Sequence, residues 1–156
     1  MLDAEETRVL GCLIEKEMST PEYYPLSLNA LVTACNQKSS REPVVEYDDV
    51  TVIHALERLL KKRYVYEARG GRVVKYGNNF TKLKNMLGRE AAVLAILMLR
   101  GPQTSGELRN RADRLHKFES LDEVEAAVAD LAEMAMVATL PRRPGQKEPR
   151  HAHLLA

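Results

Sequence analysis

The chain has no tryptophan, only two phenylalanines and two cysteines, and almost no net charge. Because aromatic side chains are so scarce, its core has to be built from Leu, Val, Ala and Ile. A net charge of +1 over 156 residues provides no protein-wide attraction to nucleic acid. Any contact with a polyanion must therefore come from local basic patches.

Two cysteines are too few for a disulfide framework. Cys12 and Cys35 fall on apolar helical faces, which favours buried, reduced thiols that pack as small hydrophobic side chains. A single disulfide or a reactive thiol is the alternative. No signal peptide opens the sequence, and the longest apolar stretch, residues 91–99, is too short to span a bilayer. We therefore expect a soluble, cytoplasmic protein without membrane partners.

The sequence contains an internal repeat. Three pairs of segments match: residues 6–13 with 90–97, residues 52–56 with 124–128, and residues 64–66 with 136–138. The first pair is offset by 84 residues and the other two pairs by 72. This pattern indicates one architectural unit used twice, with longer loops in the first copy. We place the first domain at residues 1–82 and the second at residues 83–156.

The apolar spacing predicts three helices and a hairpin in each copy. The predicted helices cover residues 3–18, 28–35 and 48–63 in the first copy, and residues 89–100, 104–115 and 120–134 in the second. The first hairpin turns at Gly70-Gly71, where both residues can take a positive φ. The second joins residues 136–140 to 151–155. This order is typical of a winged helix, so we predict a helix-rich α+β fold with two tandem winged-helix domains.

The junction, residues 80–88, is predicted to form a short helix. Leu83 and Leu87 lie one turn apart there, so we expect them to pack between the two units.

Motifs for catalysis or metal binding are few. His151 and His153 point to the same face of a predicted strand, so two metal ligands are conceivable, but no Cys or carboxylate is spaced to join them. Gly70-Gly71 is better explained as a hairpin turn than as a phosphate loop. A Cys–His nucleophile would require an exposed thiol. We therefore predict a non-enzymatic protein with no metal and no cofactor.

The third helix of a winged helix usually enters the major groove of DNA. In the first copy Arg58 and Lys61 are placed to face DNA, although the acidic start at Asp48-Asp49 is unfavourable for reading bases. Charges that complement the helix dipole would explain the same pattern without DNA. The third helix of the second copy carries five carboxylates and no Lys or Arg. It would repel a polyanion, which favours a protein contact or a solvated face.

Two further segments are basic, namely the loop before the first third helix and the arm within the second hairpin. Together with the first third helix they provide eight candidate nucleic-acid contacts: Lys38, Arg41, Arg58, Lys61, Arg142, Arg143, Lys147 and Arg150. Such groups suit phosphate oxygens, and a basic wing tip can follow a DNA backbone or minor groove. Solvated loops are the alternative interpretation.

Three ordered blocks resemble a known family. Residues 28–44, LNALVTACNQKSSREPV, closely resemble the signature of the YceH family of uncharacterised bacterial proteins, and residues 100–109 and 144–150 are similar to its later blocks. The resemblance spans essentially the whole chain. It implies a tandem winged-helix architecture of the DNA-binding-like type, with no catalytic residues to transfer. Because similar proteins often continue with a C-terminal helical segment, we expect a partner-binding or oligomerising element beyond this chain.

We therefore predict a bacterial DNA-associated or regulatory protein whose candidate partner is double-stranded DNA. The alternative is a protein-interaction module or homodimer that does not bind DNA. The near-neutral charge and the acidic third helix of the second copy favour this alternative, whereas the fold and the basic wing favour DNA.

Overall fold

A computed structural model describes residues 1–156 as a helix-rich α+β fold with two small antiparallel sheets. The first half contains α1 (Ala4–Ser19), a short 3-10 helix (Pro21–Tyr23), β1 (Leu26–Ser27), α2 (Leu28–Cys35), α3 (Asp49–Lys61), β2 (Val65–Ala68) and β3 (Lys75–Asn78). The second half contains α4 (Phe80–Leu83), α5 (Gly88–Arg100), α6 (Ser105–Arg111), α7 (Leu121–Glu133), β4 (Val137–Thr139) and β5 (His151–His153). No helix is both long enough and apolar enough to cross a membrane.

Each of the first three helices begins after a residue whose side chain caps it. Asp3 and Glu6 form a capping box at the start of α1, in which each side chain accepts a hydrogen bond from the other residue's backbone N–H, at 2.8 and 2.9 Å. Ser27 caps α2, and Asp48 rather than Asp49 caps α3. These bonds satisfy N–H groups that have no partner within the helix.

The repeat extends to the ends of the third helices. α3 and α7 are both 13 residues long, and two residues after the end of each helix lies a residue with left-handed backbone, Arg63 (φ 64°) and Ala135 (φ 59°). The next backbone N–H, of Tyr64 or Met136, bonds back to the carbonyl of Leu59 or Leu131 at 3.0 or 2.9 Å. This is a Schellman-type ending in a place where glycine is the usual residue. The two halves therefore share a backbone turn that neither sequence marks with glycine.

The two sheets have a similar arrangement of paired strands. In the first half the strand order is β1-β3-β2, all antiparallel. In the second half β4 pairs with β5, and Gln103 forms an isolated bridge with His151 on β5. Gln103 therefore occupies the position that β1 has in the first half.

The first hairpin is confirmed, but its predicted two-residue turn is wrong. Neither Gly70 nor Gly71 has a positive φ, and Ala68 pairs with Lys75, so six residues connect the strands. The register is set by Tyr66, whose ring lies over Gly77 on the neighbouring strand where any Cβ would clash with it. Packing of this pair, rather than turn preference, therefore decides where the hairpin closes.

One hydrophobic core joins the two halves. α1 and α5 pack directly against each other, and residues 91–99 of α5 are all buried. A helix that is buried on every side belongs to the centre of a core rather than to its surface. At the contact, a Cβ added to Gly11 would lie 3.0 Å from Leu99 Cδ2 and 3.3 Å from Met98 Cβ. The helices approach closely because Gly11 has no side chain.

Backbone bonds add to this connection. The Leu2 N–H donates to the Leu155 carbonyl at 2.6 Å, and the Glu42 N–H donates to the Leu99 carbonyl at 2.9 Å. Residues 1–82 and 83–156 remain the predicted division of the repeat, but the two segments are built around a common core.

The junction helix forms as α4, but the role predicted for its leucines is wrong. Leu83 and Leu87 are 49% and 56% exposed, whereas Phe80 is 1% exposed. Phe80 packs edge-on against Tyr64, with ring centroids 4.8 Å apart. The buried contact of this segment is therefore made by Phe80 with Tyr64 of the first half, and not by the two leucines.

We expect Gly11→Val to destabilise the protein by about 1–3 kcal/mol, because it over-packs the α1–α5 contact. Gly106→Ala is the matched control, since a Cβ there meets only ordinary contacts at 3.8 Å. Denaturant unfolding followed by circular dichroism measures both variants. We also expect a single cooperative transition for the native chain, because both halves share one core. Two separate transitions, or equal stability of the two variants, would contradict this account.

Candidate functional site

The outward face of α3 is mixed in character. Val50 is 57% exposed, and His54 and Lys61 are also exposed. Lys61 makes no ion pair, whereas Arg58 pairs with Asp3 at 3.0 Å through partly exposed groups. Exposed pairs of this kind contribute little to stability and can exchange partners. Lys61 is therefore free to contact a ligand, but the Arg58 Nε is buried and lies 3.9 Å from the buried Glu6 carboxylate, so releasing Arg58 would also take a cation away from that group.

Two predicted nucleic-acid contacts lie three residues apart in the loop between α2 and α3, but they differ in exposure. Lys38 is exposed, but Arg41 is buried with a side chain that is fully inaccessible to solvent. The Arg41 guanidinium forms two hydrogen bonds with Glu15, at 2.7 and 3.0 Å, and also donates to the Ala34 and Ser40 carbonyls. The prediction that Arg41 contacts nucleic acid is therefore wrong. Its donors hold the loop against α1.

The second hairpin carries an exposed basic loop. Arg142, Arg143 and Lys147 are exposed and make no ion pair. Gly145, with φ 81°, forms part of the turn at the tip of this loop. Arg150, predicted as part of the same group, is only partly exposed and lies at the end of the loop beside a cleft.

The first hairpin presents cations that the sequence interpretation overlooked. Arg69, Arg72 and Lys75 are exposed around its tip, and of these only Arg69 is paired, with Glu67. The Arg-Gly-Gly-Arg string contains this signal, because its two arginines flank the glycines that indicate a turn.

α7 keeps its acidic surface in the folded chain. Asp122, Glu125 and Glu133 are exposed, and Leu121 at the start of the helix is 44% exposed. Arg89 from α5 approaches this helix and pairs with Asp130 at 2.9 Å. The outward surfaces of α3 and α7 therefore differ although their helices repeat.

A polar cleft of about 540 Å³ lies between the two halves. It is lined by residues from the α2–α3 loop, the end of α5, α6 and the second hairpin: Arg41, Glu42, Arg100, Gly101, Pro102, Gln103, Arg111 and Arg150. None of these residues is hydrophobic. The structure thus brings Arg150 together with Arg100 and Arg111, which the sequence interpretation did not single out because they are far apart along the chain.

The arginines of this cleft differ in their partners. Arg41 is committed to Glu15, and Arg111 pairs with Glu107 at 3.5 Å. The Arg100 and Arg150 side chains have neither an ion pair nor a hydrogen bond with another residue. Burial lowers the pKa of Arg100, and the positive charges of Arg111 and Arg41 lower it further. Unfavourable positive charge therefore accumulates in the cleft.

Gln103 organises the same region. Its Nε2 donates to the Pro102 carbonyl at 2.9 Å, and its Oε1 accepts a hydrogen bond from Arg111. Its backbone pairs with His151 in both directions, at 2.7 and 3.0 Å. Because Gln103 is 4% exposed, it fixes Arg111 from beneath the cleft.

A chain of hydrogen bonds whose central members, Ser105 and His151, are buried lies at the base of the second hairpin. Ser105 Oγ donates to Glu125 at 2.7 Å and lies 2.9 Å from His151 Nε2, while His151 Nδ1 lies 2.9 Å from Thr139 Oγ1. Because the hydroxyl proton of Ser105 points to Glu125, His151 Nε2 acts as a donor to Ser105 and not as its base. This arrangement satisfies His151 structurally, with both ring nitrogens occupied.

His153 and the two cysteines also have structural surroundings that explain them without a reaction. His153 Nδ1 accepts the Leu155 N–H at 3.3 Å, and no group of three or more His, Cys, Asp or Glu side chains is placed to hold a metal ion. Cys12 and Cys35 are buried and not linked. A hydrogen bond with Cys12, together with burial, raises the pKa of the Cys35 thiol. A raised thiol pKa disfavours the reactive thiolate.

We expect Arg41→Gln to cost about 3 kcal/mol of stability, because it leaves the Glu15 carboxylate buried without its main partner. The double variant Glu15→Gln/Arg41→Gln should recover part of that loss, since it removes both charges. Lys38→Gln, on the same loop, serves as the exposed control and should change stability by less than about 0.5 kcal/mol. Thermal and denaturant unfolding measure these differences. Equal effects of Lys38→Gln and Arg41→Gln would contradict a structural role for Arg41.

His151 should make stability fall in mild acid. Burial lowers its pKa below the ordinary value of 6.5, and Glu125 and Glu148 only partly oppose this. The unfolded chain therefore binds more protons than the folded chain below about pH 6.5, so stability decreases as pH falls through that value. His151→Gln should reduce stability at pH 7.5 by about 1–3 kcal/mol and make the acid dependence shallower.

The control for this prediction is His54→Gln, because His54 is exposed and has no hydrogen-bond partner. Unfolding measured from pH 7.5 to 5.5 compares the three proteins. An unchanged slope in His151→Gln would contradict the assignment.

Known proteins are similar to this chain along nearly its whole length. The family described as "Protein of unknown function, DUF480" matches residues 2–146. A UPF0502 protein of Citrifermentans bemidjiense is 54% identical over 158 residues, which cover 99% of this chain and 74% of the relative. A UPF0502 protein of Solibacter usitatus is also 54% identical, over 99% of this chain and 76% of its own length. Another from Opitutus terrae is 51% identical, over 99% and 70%.

These matches carry the DUF480 and UPF0502 names rather than the YceH name. The resemblance to an uncharacterised bacterial family is confirmed at that level, and the chain belongs to the DUF480 family.

Proposed function

We propose that this chain is a non-enzymatic, tandem winged-helix protein that associates with double-stranded DNA. The architecture is supported by the repeated element order, in which α1, α2 and α3 precede the first hairpin and α5, α6 and α7 precede the second. It is also supported by the position of Gln103, which pairs with β5 in the second half as β1 pairs with β3 in the first. Residues 1–82 and 83–156 are the corresponding domains of this proposal.

One observation carries the DNA proposal: both hairpins project exposed cations that have no carboxylate partner. These are Arg72 and Lys75 on the first hairpin, and Arg142, Arg143 and Lys147 on the second. An unpaired cation can release a condensed counterion from a phosphate without first breaking a salt bridge. Lys38 and Lys61 add two further exposed cations in the first half.

The first half is the better candidate for groove contact. Asp48 made the start of α3 unfavourable for DNA, but its carboxylate accepts the Thr51 N–H at 2.8 Å. This hydrogen bond lowers the pKa of Asp48, as expected for a charged cap at the positive end of a helix. The acidic residue therefore has a role within the helix, while His54 and Lys61 lie farther along and are exposed. The acidic face of α7 offers no comparable surface.

We expect weak, sequence-independent binding to a short duplex that falls steeply as salt concentration rises. Arg142→Ala/Arg143→Ala should reduce the slope of log affinity against log salt by about 1.8, if both residues contact phosphates. Lys82→Ala/Lys117→Ala removes the same charge from exposed positions outside the hairpins and should leave the slope unchanged. Fluorescence anisotropy with a labelled 20-base-pair duplex, titrated in 20–200 mM NaCl, measures the slopes.

Absence of binding at 20 mM NaCl, or equal slope changes in the two double variants, would defeat the DNA proposal. The second candidate function is a homodimer or protein-interaction module, favoured by the exposed Leu83, Leu87 and Leu121 and by the acidic α7. A concentration-dependent dimer in sedimentation experiments, without DNA binding, would support that candidate instead.

A further inference from the structure

We propose that the cleft lined by Arg100, Arg111 and Arg150 binds the phosphate group of a small phosphorylated molecule. This site adjoins the second basic hairpin loop through Arg150, and phosphate binding there does not require DNA association. It is formed only when the two halves meet, because Arg41 and Glu42 come from the first half and the three arginines come from the second.

The charge distribution of the cleft favours an anion. Two of its arginines, Arg100 and Arg150, have no carboxylate partner, and a third, Arg111, has only a 3.5 Å pair with Glu107. The positive charges around Arg100 already oppose its protonation. A bound dianion would relieve this repulsion, and arginine is well suited to phosphate because its planar guanidinium can donate two parallel hydrogen bonds.

The three arginines are mounted on ordered elements. Arg100 and Arg111 are the last residues of α5 and α6, and Arg150 directly precedes β5. The Arg150 carbonyl accepts the Leu140 N–H at 2.8 Å, and Gln103 holds the Arg111 guanidinium. The Arg111 side chain, held in this way, loses less conformational entropy when it binds a ligand, whereas Arg100 and Arg150 are fixed through their backbones only.

The size and polarity of the cleft point to a small, hydrophilic ligand. Its volume of about 540 Å³ lies within the usual range for small-molecule sites, and no hydrophobic residue lines it. A phosphate monoester carries a charge close to −2, which matches the two unpaired guanidinium groups. Glu42 also lines the cleft and is exposed, so not every lining group is positive.

Isothermal titration calorimetry tests this proposal with inorganic phosphate and glycerol 3-phosphate at pH 7.5 and constant ionic strength. We expect saturable 1:1 binding of both probes. Arg100→Gln and Arg150→Gln should each weaken binding at least about tenfold, the loss expected for a charge-assisted hydrogen bond. The matched control, Arg142→Gln/Arg143→Gln, removes more charge from the exposed loop and should change affinity by less than about twofold, since those residues lie outside the cleft.

Circular dichroism and thermal unfolding establish that each variant is folded. Because the Arg100 and Arg150 side chains make no ion pair and no hydrogen bond, both substitutions should preserve the stability of the fold. Absence of binding to both probes at 10 mM, or equal losses in the cleft and loop variants, would overturn the proposal.

The same variants separate this site from the DNA surface. If Arg100→Gln also weakens duplex binding in the absence of glycerol 3-phosphate, the cleft belongs to the DNA surface and the small-molecule assignment is wrong. If the native protein binds glycerol 3-phosphate but no duplex, the DNA proposal fails and the cleft assignment stands.

Discussion

The close approach of α1 and α5 is the constraint on which the rest of this structure depends. Each helix is the first long helix of its half. If the halves folded separately, each helix would form one wall of its own small core. Gly11 removes the side chain that would hold them apart, so Leu99 and Met98 pack directly on the α1 backbone. Small domains bury a low fraction of their surface and are marginally stable alone. Merging the two cores provides burial that neither half of about 75 residues could reach by itself.

The buried ion pair between Arg41 and Glu15 follows from this arrangement. The loop between α2 and α3 must cross the boundary between the halves, where the Glu42 N–H meets the last turn of α5. Arg41 holds it from one side through Glu15, and Arg8 holds it from the other through the carbonyls of Cys35 and Pro43. Because this loop forms one wall of the cleft, the same contacts that stabilise the fold also shape the candidate anion site.

Local features of the sequence predicted the helices well. Periodic apolar residues and the caps at Asp3, Ser27 and Thr104 depend on neighbours only three or four positions away, so they can be recognised without knowing the fold. The left-handed residues Arg63 and Ala135 carried no such mark, because neither of them is glycine.

The candidate site depends on longer-range contacts. Lys38 and Arg41 are similar residues in one polar loop, yet only the folded chain shows that Glu15 removes Arg41 from the surface. In the sequence, Arg100 and Arg111 are simply the last residues of two helices. Only the folded chain shows that Arg150 lies beside them in one cleft. A pattern of charges along the chain could predict basic segments, but it could not predict which cations would lack partners.

Arg150 connects the two proposals physically. It ends the loop that carries Arg142, Arg143 and Lys147, and it also lines the cleft between the halves. An anion held by Arg150 would therefore restrain one end of the basic loop while adding negative charge near its base. Both effects change the free energy of placing that loop on a phosphate backbone, the first by reducing its entropy and the second by electrostatics. Linkage requires the coupling to be reciprocal, so DNA on the loop would alter the affinity of the cleft by the same factor. The two halves have a similar order of helices and strands, and the cleft at their boundary is lined by residues of both.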